Sequence, residues 1–268
     1  MNSIQLTIQA NEEQQEILIS QLDELHANGF EQTNDSLIAY FAENNFDSYE
    51  IYQLLQDYTF TIATIEEQNW NQVWESNFTP VFVDDFCAIR ANFHEPVRNV
   101  EHEIIITPKM SFGTGHHATT YMMVQQMREI SFSNKTVFDF GTGTGILAIL
   151  AEKLGASSVS AIDVDDWSIE NASENLVENG CTKITLELSS TIPARPFDII
   201  LANINRNVIL SNLPQLKKAL PAGGVLLLSG LLTTDQTDVV TAGSQIKLDL
   251  VKQTQKDNWI SLLFINRI

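Results

Sequence analysis

Apolar and polar residues alternate in Ile4-Gln5-Leu6-Thr7-Ile8, the period of a strand with one buried face. From Asn11, a suitable N-cap, apolar positions take up helical spacing (Ile17, Leu18, Leu22, Leu25) as far as Ala27, and Gly29 closes the run. Residues 37–41 predict a second strand, Ser48 a cap for a helix carrying Ile51, Leu54 and Leu55, and residues 60–65 a third strand. Strand, helix, strand, helix, strand within residues 1–68 predicts a small ferredoxin-like α+β domain. It holds no cluster of catalytic residue types, so its expected job is substrate recognition.

Residues 69–92 read as a connector. A short helix opens at Asn69 and sets Trp70 and Trp74 one turn apart, where they either pack the connector against its flanking domains or offer an aromatic surface to a partner. Residues 79–83 and 87–91 predict a strand pair around Asp84-Asp85. Residues 93–268 then alternate strand and helix. Strands are expected at 103–107, 137–140, 158–162, 183–188, 197–204 and 225–230, helices at 121–129, 166–179, 207–220 and 234–242, and a terminal hairpin of 246–254 with 259–265. That order predicts an open α/β sheet.

Composition narrows the function classes. Hydrophobic residues make up 44%, enough for a core, yet no apolar run is long enough to span a membrane, and the first residues lack the pattern of a signal peptide. Cys87 and Cys181 stand apart without metal-type spacing, as free thiols do in a reducing cytoplasm, the expected location. Lys and Arg total 15 against 34 Asp and Glu, a formal charge of −19, and no basic run offsets it, so direct tight binding to nucleic acid is not expected. Such a surface either steers a basic partner inward or serves solubility alone.

The chemistry concentrates in Val137-Phe138-Asp139-Phe140-Gly141-Thr142-Gly143-Thr144-Gly145-Ile146, a buried strand running through a glycine turn into a helix. Glycines there admit close backbone approach, and the first N–H groups of a helix face a ligand. In a dinucleotide fingerprint the third glycine would fall at position 146, which is Ile146, and the lysine of a P-loop is absent. The spacing D-x-G-x-G-x-G instead resembles the first motif of class I S-adenosylmethionine-dependent methyltransferases. Asp163 ends the next strand 22 residues after Gly141, where an acid accepts hydrogen bonds from ribose hydroxyls. The plainer reading is a bare turn, with Asp163 capping the next helix.

A second glycine loop, Ser111-Phe112-Gly113-Thr114-Gly115-His116-His117-Ala118-Thr119-Thr120, precedes a helix that Thr119 or Thr120 starts. Adjacent side chains such as His116 and His117 diverge, and no Cys or acidic ligand accompanies them at a recognised spacing, so no metal is expected. Asn203 ends a buried strand where open α/β sheets bind ligands, and serves either there or as a cap of the following helix.

The run Phe112-Gly113-Thr114-Gly115-His116, with Thr119-Thr120, the Asp139–Gly145 motif and the connector residues Trp70, Trp74 and Pro80, resembles the bacterial methyltransferases that modify ribosomal protein L11. Lys109 and Ser111 depart from the glycine and alanine usual there. The resemblance implies a Rossmann-like, seven-stranded class I methyltransferase domain whose last strand is antiparallel. It implies S-adenosyl-L-methionine as cofactor, and L11, free or on the ribosome, as the partner methylated on lysine side chains or the N-terminal amine. Cofactor contacts are expected from Thr120, Gly141, Gly143, Gly145, Asp163 and Asn203, and catalytic contributions from Asn203, Phe112 and His116. A monomer is expected. The alternatives are a methyltransferase for another protein or a small molecule, a non-catalytic S-adenosylmethionine sensor, and a nicotinamide oxidoreductase, against which Ile146 argues.

Overall fold

The computed structural model describes residues 3–65, 78–109 and 113–267. By its contacts the chain divides into two units, Met1–Asn77 and Phe78–Ile268. The helix expected from Asn69, with Trp70 and Trp74, lies outside the described residues. Residues 78–92, read from sequence as part of a connector, belong to the second unit.

In the first unit β1 (Ser3–Gln9), β2 (Gly29–Gln32), β3 (Ser36–Ala42) and β4 (Phe60–Ile65) form an antiparallel sheet in the order β2-β3-β1-β4. With α1 (Glu12–Glu24) and α2 (Ser48–Leu54) this is the ferredoxin-like arrangement, with one strand more than the apolar pattern predicted. The strand missed is β2, four residues at the sheet edge with no alternating period of their own. Asn11 caps α1 in a reciprocal box with Gln14, each side chain taking the other's backbone N–H at 3.0 Å. Leu18 and Leu22 are buried, but Ile17 is 58% exposed, because one residue turns the helix by about 100° off that face. Asp47, not Ser48, caps α2 by accepting from the N–H groups of Tyr49 and Glu50.

The second unit carries two sheets. β5 (Val81–Val83), β6 (Cys87–Ala91) and β7 (His102–Ile106) make the smaller, β6 pairing antiparallel with β5 and parallel with β7. Buried Arg90 of β6 reaches across to Glu103 of β7 with two guanidinium bonds, at 2.8 and 3.3 Å.

The larger sheet contains β8 (Thr136–Phe140), β9 (Ser158–Asp163), β10 (Ile184–Leu188), β11 (Ile199–Asn203), β12 (Val225–Leu232), β13 (Leu248–Lys256) and β14 (Trp259–Asn266), in the order β10-β9-β8-β11-β12-β14-β13. Only β14 runs against the others, as expected for the class I methyltransferase sheet. One face packs beneath α3 (Ala118–Met127), α4 (Ile146–Lys153) and α5 (Asp166–Glu178) through Met123, Ile149, Leu150 and Leu176. The other lies under α6 (Arg206–Lys218) and α7 (Gln236–Gln245) through Ile209, Leu213, Leu216 and Val239. Covered on both sides, the central strands are apolar throughout, which is why β11 is buried at every residue. Strand order reverses between β8 and β11, so their C-terminal ends open a crevice. Among the described residues no helix is long and apolar enough to cross a membrane.

Candidate active site

The crevice is built by the glycine turn after β8. Gly141, Gly143 and Gly145 all have positive φ, at 76°, 55° and 82°. A Cβ on Gly141 would lie 2.3 Å from Ile204 Cγ2, so this residue must be glycine on both conformational and steric grounds. Gly145 is the N-cap of α4 and brings no side chain to it, as suits a helix start that faces a ligand. The turn is fastened to β9: the N–H groups of Gly141 and Thr142 both donate to Ile162 O at 2.9 Å. Asp163 Oδ2 accepts from Gly143 N at 2.9 Å, while its Oδ1 accepts from Val164 N and Asp165 N. Asp163 therefore braces the turn, and its two oxygens retain acceptor capacity for a diol.

Under the turn, Asp139 is wholly buried. Thr142 Oγ1 donates to its Oδ2 at 2.6 Å, and its Oδ1 has no partner. Burial, with the charge of Asp163 adding to it, outweighs the Thr142 bond and pushes the Asp139 carboxyl up to about 7.

Asn203 stands at the end of β11. Its Nδ2 donates to Thr120 Oγ1 on α3, and its Oδ1 is buried without a partner. It does not cap α6, because Asn205 holds that position and accepts from Val208 N at 3.1 Å. The two expected site residues, 83 positions apart, thus meet. The sequence placed the start of α3 at Thr119 or Thr120, but His117 caps the helix, accepting from Thr119 N, with its ring 4.6 Å from that of Trp259.

His116 lies in the preceding loop with both ring nitrogens engaged, Nδ1 with Thr114 Oγ1 at 3.2 Å and Nε2 with Thr79 O at 3.0 Å. The carbonyl accepts only, so Nε2 carries the proton and Nδ1 accepts from the Thr114 hydroxyl. Its ring packs T-shaped against that of Phe78, with centroids 4.7 Å apart. Phe112 lies outside the described residues. No cluster of three or more His, Cys, Asp or Glu able to hold a metal occurs among the described residues.

Sequence reasoning missed a row of amides along α5, Asn171 and Asn175 buried and Asn179 half-buried at its C-cap. Asn179 exchanges two bonds with the backbone of Ile105, Asn175 accepts from Thr107 N, and Asn171 donates to Thr107 O. The signal was present, since 171, 175 and 179 are spaced four apart on one helical face.

S-adenosylmethionine fits what is present. Its ribose diol needs an acid at the β9 end, its amino acid portion a close approach to backbone, and its cationic groups nearby acceptors. Asp163, the positive-φ glycine backbone of the turn, and the orphaned oxygens of Asp139 and Asn203 would suit these needs in turn.

Comparison with known proteins agrees. The family described as "Ribosomal protein L11 methyltransferase (PrmA)" matches residues 2–267. A relative of that name from Phocaeicola vulgatus is 34% identical over 95% of this chain and 95% of its own. Another from Porphyromonas gingivalis is 38% identical over 93% of this chain and 90% of its own. The crystal structure of a ribosomal protein L11 methylase from Lactobacillus delbrueckii subsp. bulgaricus superposes with a TM-score of 0.66 at 30% identity, covering 71% of this chain and all of that one. A methyltransferase from Pyrococcus furiosus, at 18% identity and a TM-score of 0.53, shares the fold. With the glycine turn, the acid of β9 and the seven-stranded order already in place, the match over nearly the whole length means that the chain belongs to the ribosomal protein L11 methyltransferase family, class I enzymes whose methyl donor is S-adenosylmethionine.

Proposed function

We propose that this chain methylates amino groups of ribosomal protein L11, on lysine side chains, the N-terminal amine or both. The observation that carries the amine reading is the free acceptor at Asn203. Its amide is turned by Thr120 so that Oδ1, buried and unpartnered, is left at the strand end beside the glycine turn. An N–H of an attacking amine is the donor this oxygen needs.

When bound, S-adenosylmethionine supplies an electrophilic methyl group on a sulfonium. Asp163 would hold its ribose, and Gly141, Gly143 and Gly145 would let the backbone approach it. Only the free base of an amine attacks, and an unperturbed lysine has a pKa of about 10.4. An apolar pocket that excludes water lowers that value and favours the neutral nucleophile. Asn203 Oδ1 aligns the amine, which is worth several kcal/mol of barrier in well-oriented reactions. His116 shapes the loop, since both its nitrogens are already committed. The first unit, with no catalytic cluster, recognises the protein substrate, and the chain works as a cytoplasmic monomer without binding nucleic acid directly.

The test is to incubate the protein and labelled S-adenosylmethionine with free L11 and with ribosomes from a strain lacking this activity, then map the label. Label on L11 amines is expected. Label confined to another protein, or none in either preparation, would overturn the reading.

A further inference from the structure

Thr144 sits inside the cofactor turn, between Gly143 and Gly145, and is buried. Its side chain nevertheless serves the other loop: Thr144 Oγ1 donates to Gly113 O at 2.7 Å. Its own carbonyl accepts from Asn175 Nδ2 at 2.8 Å. The same amide takes Thr107 N at its Oδ1, at 2.7 Å. Thr107 and Gly113 are thus both tied, one through the Asn175 amide and the other directly, to a single residue of the cofactor turn. A Cβ at Gly113 would come within 3.0 Å of the Thr144 hydroxyl, so the two loops are in close contact there.

We propose that Thr144 is a positioning residue that makes the placement of the 113–117 loop depend on the cofactor turn. The bond from Asn175 to Thr144 is buried and the other two are partly buried, so shifting one loop alone would strand the buried Thr144 carbonyl and hydroxyl at a cost larger than the bonds' net worth. A ligand that orders residues 141–145 therefore orders Gly113 with them. Coupling of this kind is reciprocal, so occupancy of the amine side favours cofactor binding by the same factor. The inference rests on the glycine turn being the cofactor site and goes beyond it in assigning the device that joins the two halves of the active centre.

The test compares wild type, Thr144→Val, Thr144→Ser and Asn175→Asp, each checked by thermal melting. Asn175→Asp keeps an acceptor for Thr107 N but removes the donor to Thr144 O, and it decides the matter should the valine variant not fold. With L11 as substrate, Thr144→Val and Asn175→Asp should lower kcat about tenfold, the scale of one lost buried hydrogen bond, with S-adenosylmethionine affinity changed by no more than about twofold. Thr144→Ser should restore turnover. Hydrogen exchange needs only the chain and S-adenosylhomocysteine, whatever the protein substrate is. Amides of residues 113–117 should gain protection on binding in wild type and Thr144→Ser, but not in Thr144→Val. Ligand-induced protection retained in Thr144→Val, wild-type turnover in that variant, or a loss of affinity equal to the loss of turnover would overturn the proposal. A wild type that bound no S-adenosylhomocysteine would overturn the cofactor reading and this inference together, whereas the other adverse outcomes leave the cofactor site intact.

Discussion

Asn203 Nδ2 donates to Thr120 Oγ1 across 3.2 Å, and that one bond decides which end of the amide is free. The acceptor left over, Oδ1, has no partner in the buried crevice. Asn203→Ala should therefore cut kcat far more than it weakens cofactor binding. Thr120→Val should lower kcat about tenfold by releasing the amide, and Thr120→Ser should recover it. Steady-state kinetics beside calorimetric affinities give the split. Full turnover in Asn203→Ala would remove the residue from the active centre.

Asp163 joins the turn to β9 and, in the proposed cofactor site, would offer acceptors to a ribose. Asp163→Ala loses charge-assisted bonds, which predicts a drop in S-adenosylmethionine affinity of about tenfold to a hundredfold. Gly141→Val should be worse, since its Cβ alone would meet Ile204 Cγ2 at 2.3 Å. Titration calorimetry reads both, and unchanged affinity in Asp163→Ala would contradict the assignment.

His116 has no free ring nitrogen with which to take a proton from substrate. In His116→Ala the reaction should slow, through loss of the Thr79 and Phe78 contacts, yet still rise with pH as the substrate amine loses its proton. A pH–rate profile that became flat in the variant would make the histidine the base.

Asp139 links stability to pH. Its carboxyl, raised to about 7 by burial, keeps a proton that the unfolded chain has lost above 3.8. This group's contribution is therefore fully present at low pH and is lost as pH rises through about 7, at up to about 1.4 kcal/mol per unit traversed. Denaturant melts of the ligand-free protein between about pH 5 and about pH 8 should show that slope, and Asp139→Asn should reduce it. Equal slopes in both would mean that the carboxylate is stabilised in the fold by something other than Thr142.

The proposed division of labour between units gives a further expectation. A fragment spanning residues 78–268, which retains Phe78 against His116, should bind S-adenosylmethionine like the full chain and methylate L11 far more slowly. A folded fragment without cofactor affinity would contradict it.

Much of this was legible in the sequence because it is local. Glycines at 141, 143 and 145 after a buried strand demand a turn into a helix, and the alternation of periods from Thr136 to Asn266 yields strands and helices in order, since neighbours a few residues apart set both. Family motifs pointed to the cofactor by the same local route. What the tertiary structure decided is which distant groups meet. Strand β2 exists only because β3 offers it an edge; residues 29–32 carry no period of their own. Asn203 and Asn205 are chemically identical and two residues apart, yet one caps α6 and the other faces Thr120, because the strand end and the helix start point them differently. Gly141 and Gly230, far apart in the chain, both close on Ile204, where a Cβ on either would come within 2.3 Å of it. The amides of α5 had a visible spacing but no visible partner, since Ile105, Thr107 and Thr144 reach them only after the sheets have packed. Periodicity is written by the chain's nearest neighbours, whereas a hydrogen bond across 83 residues exists only once burial has brought its two ends together and removed the water that competed for them.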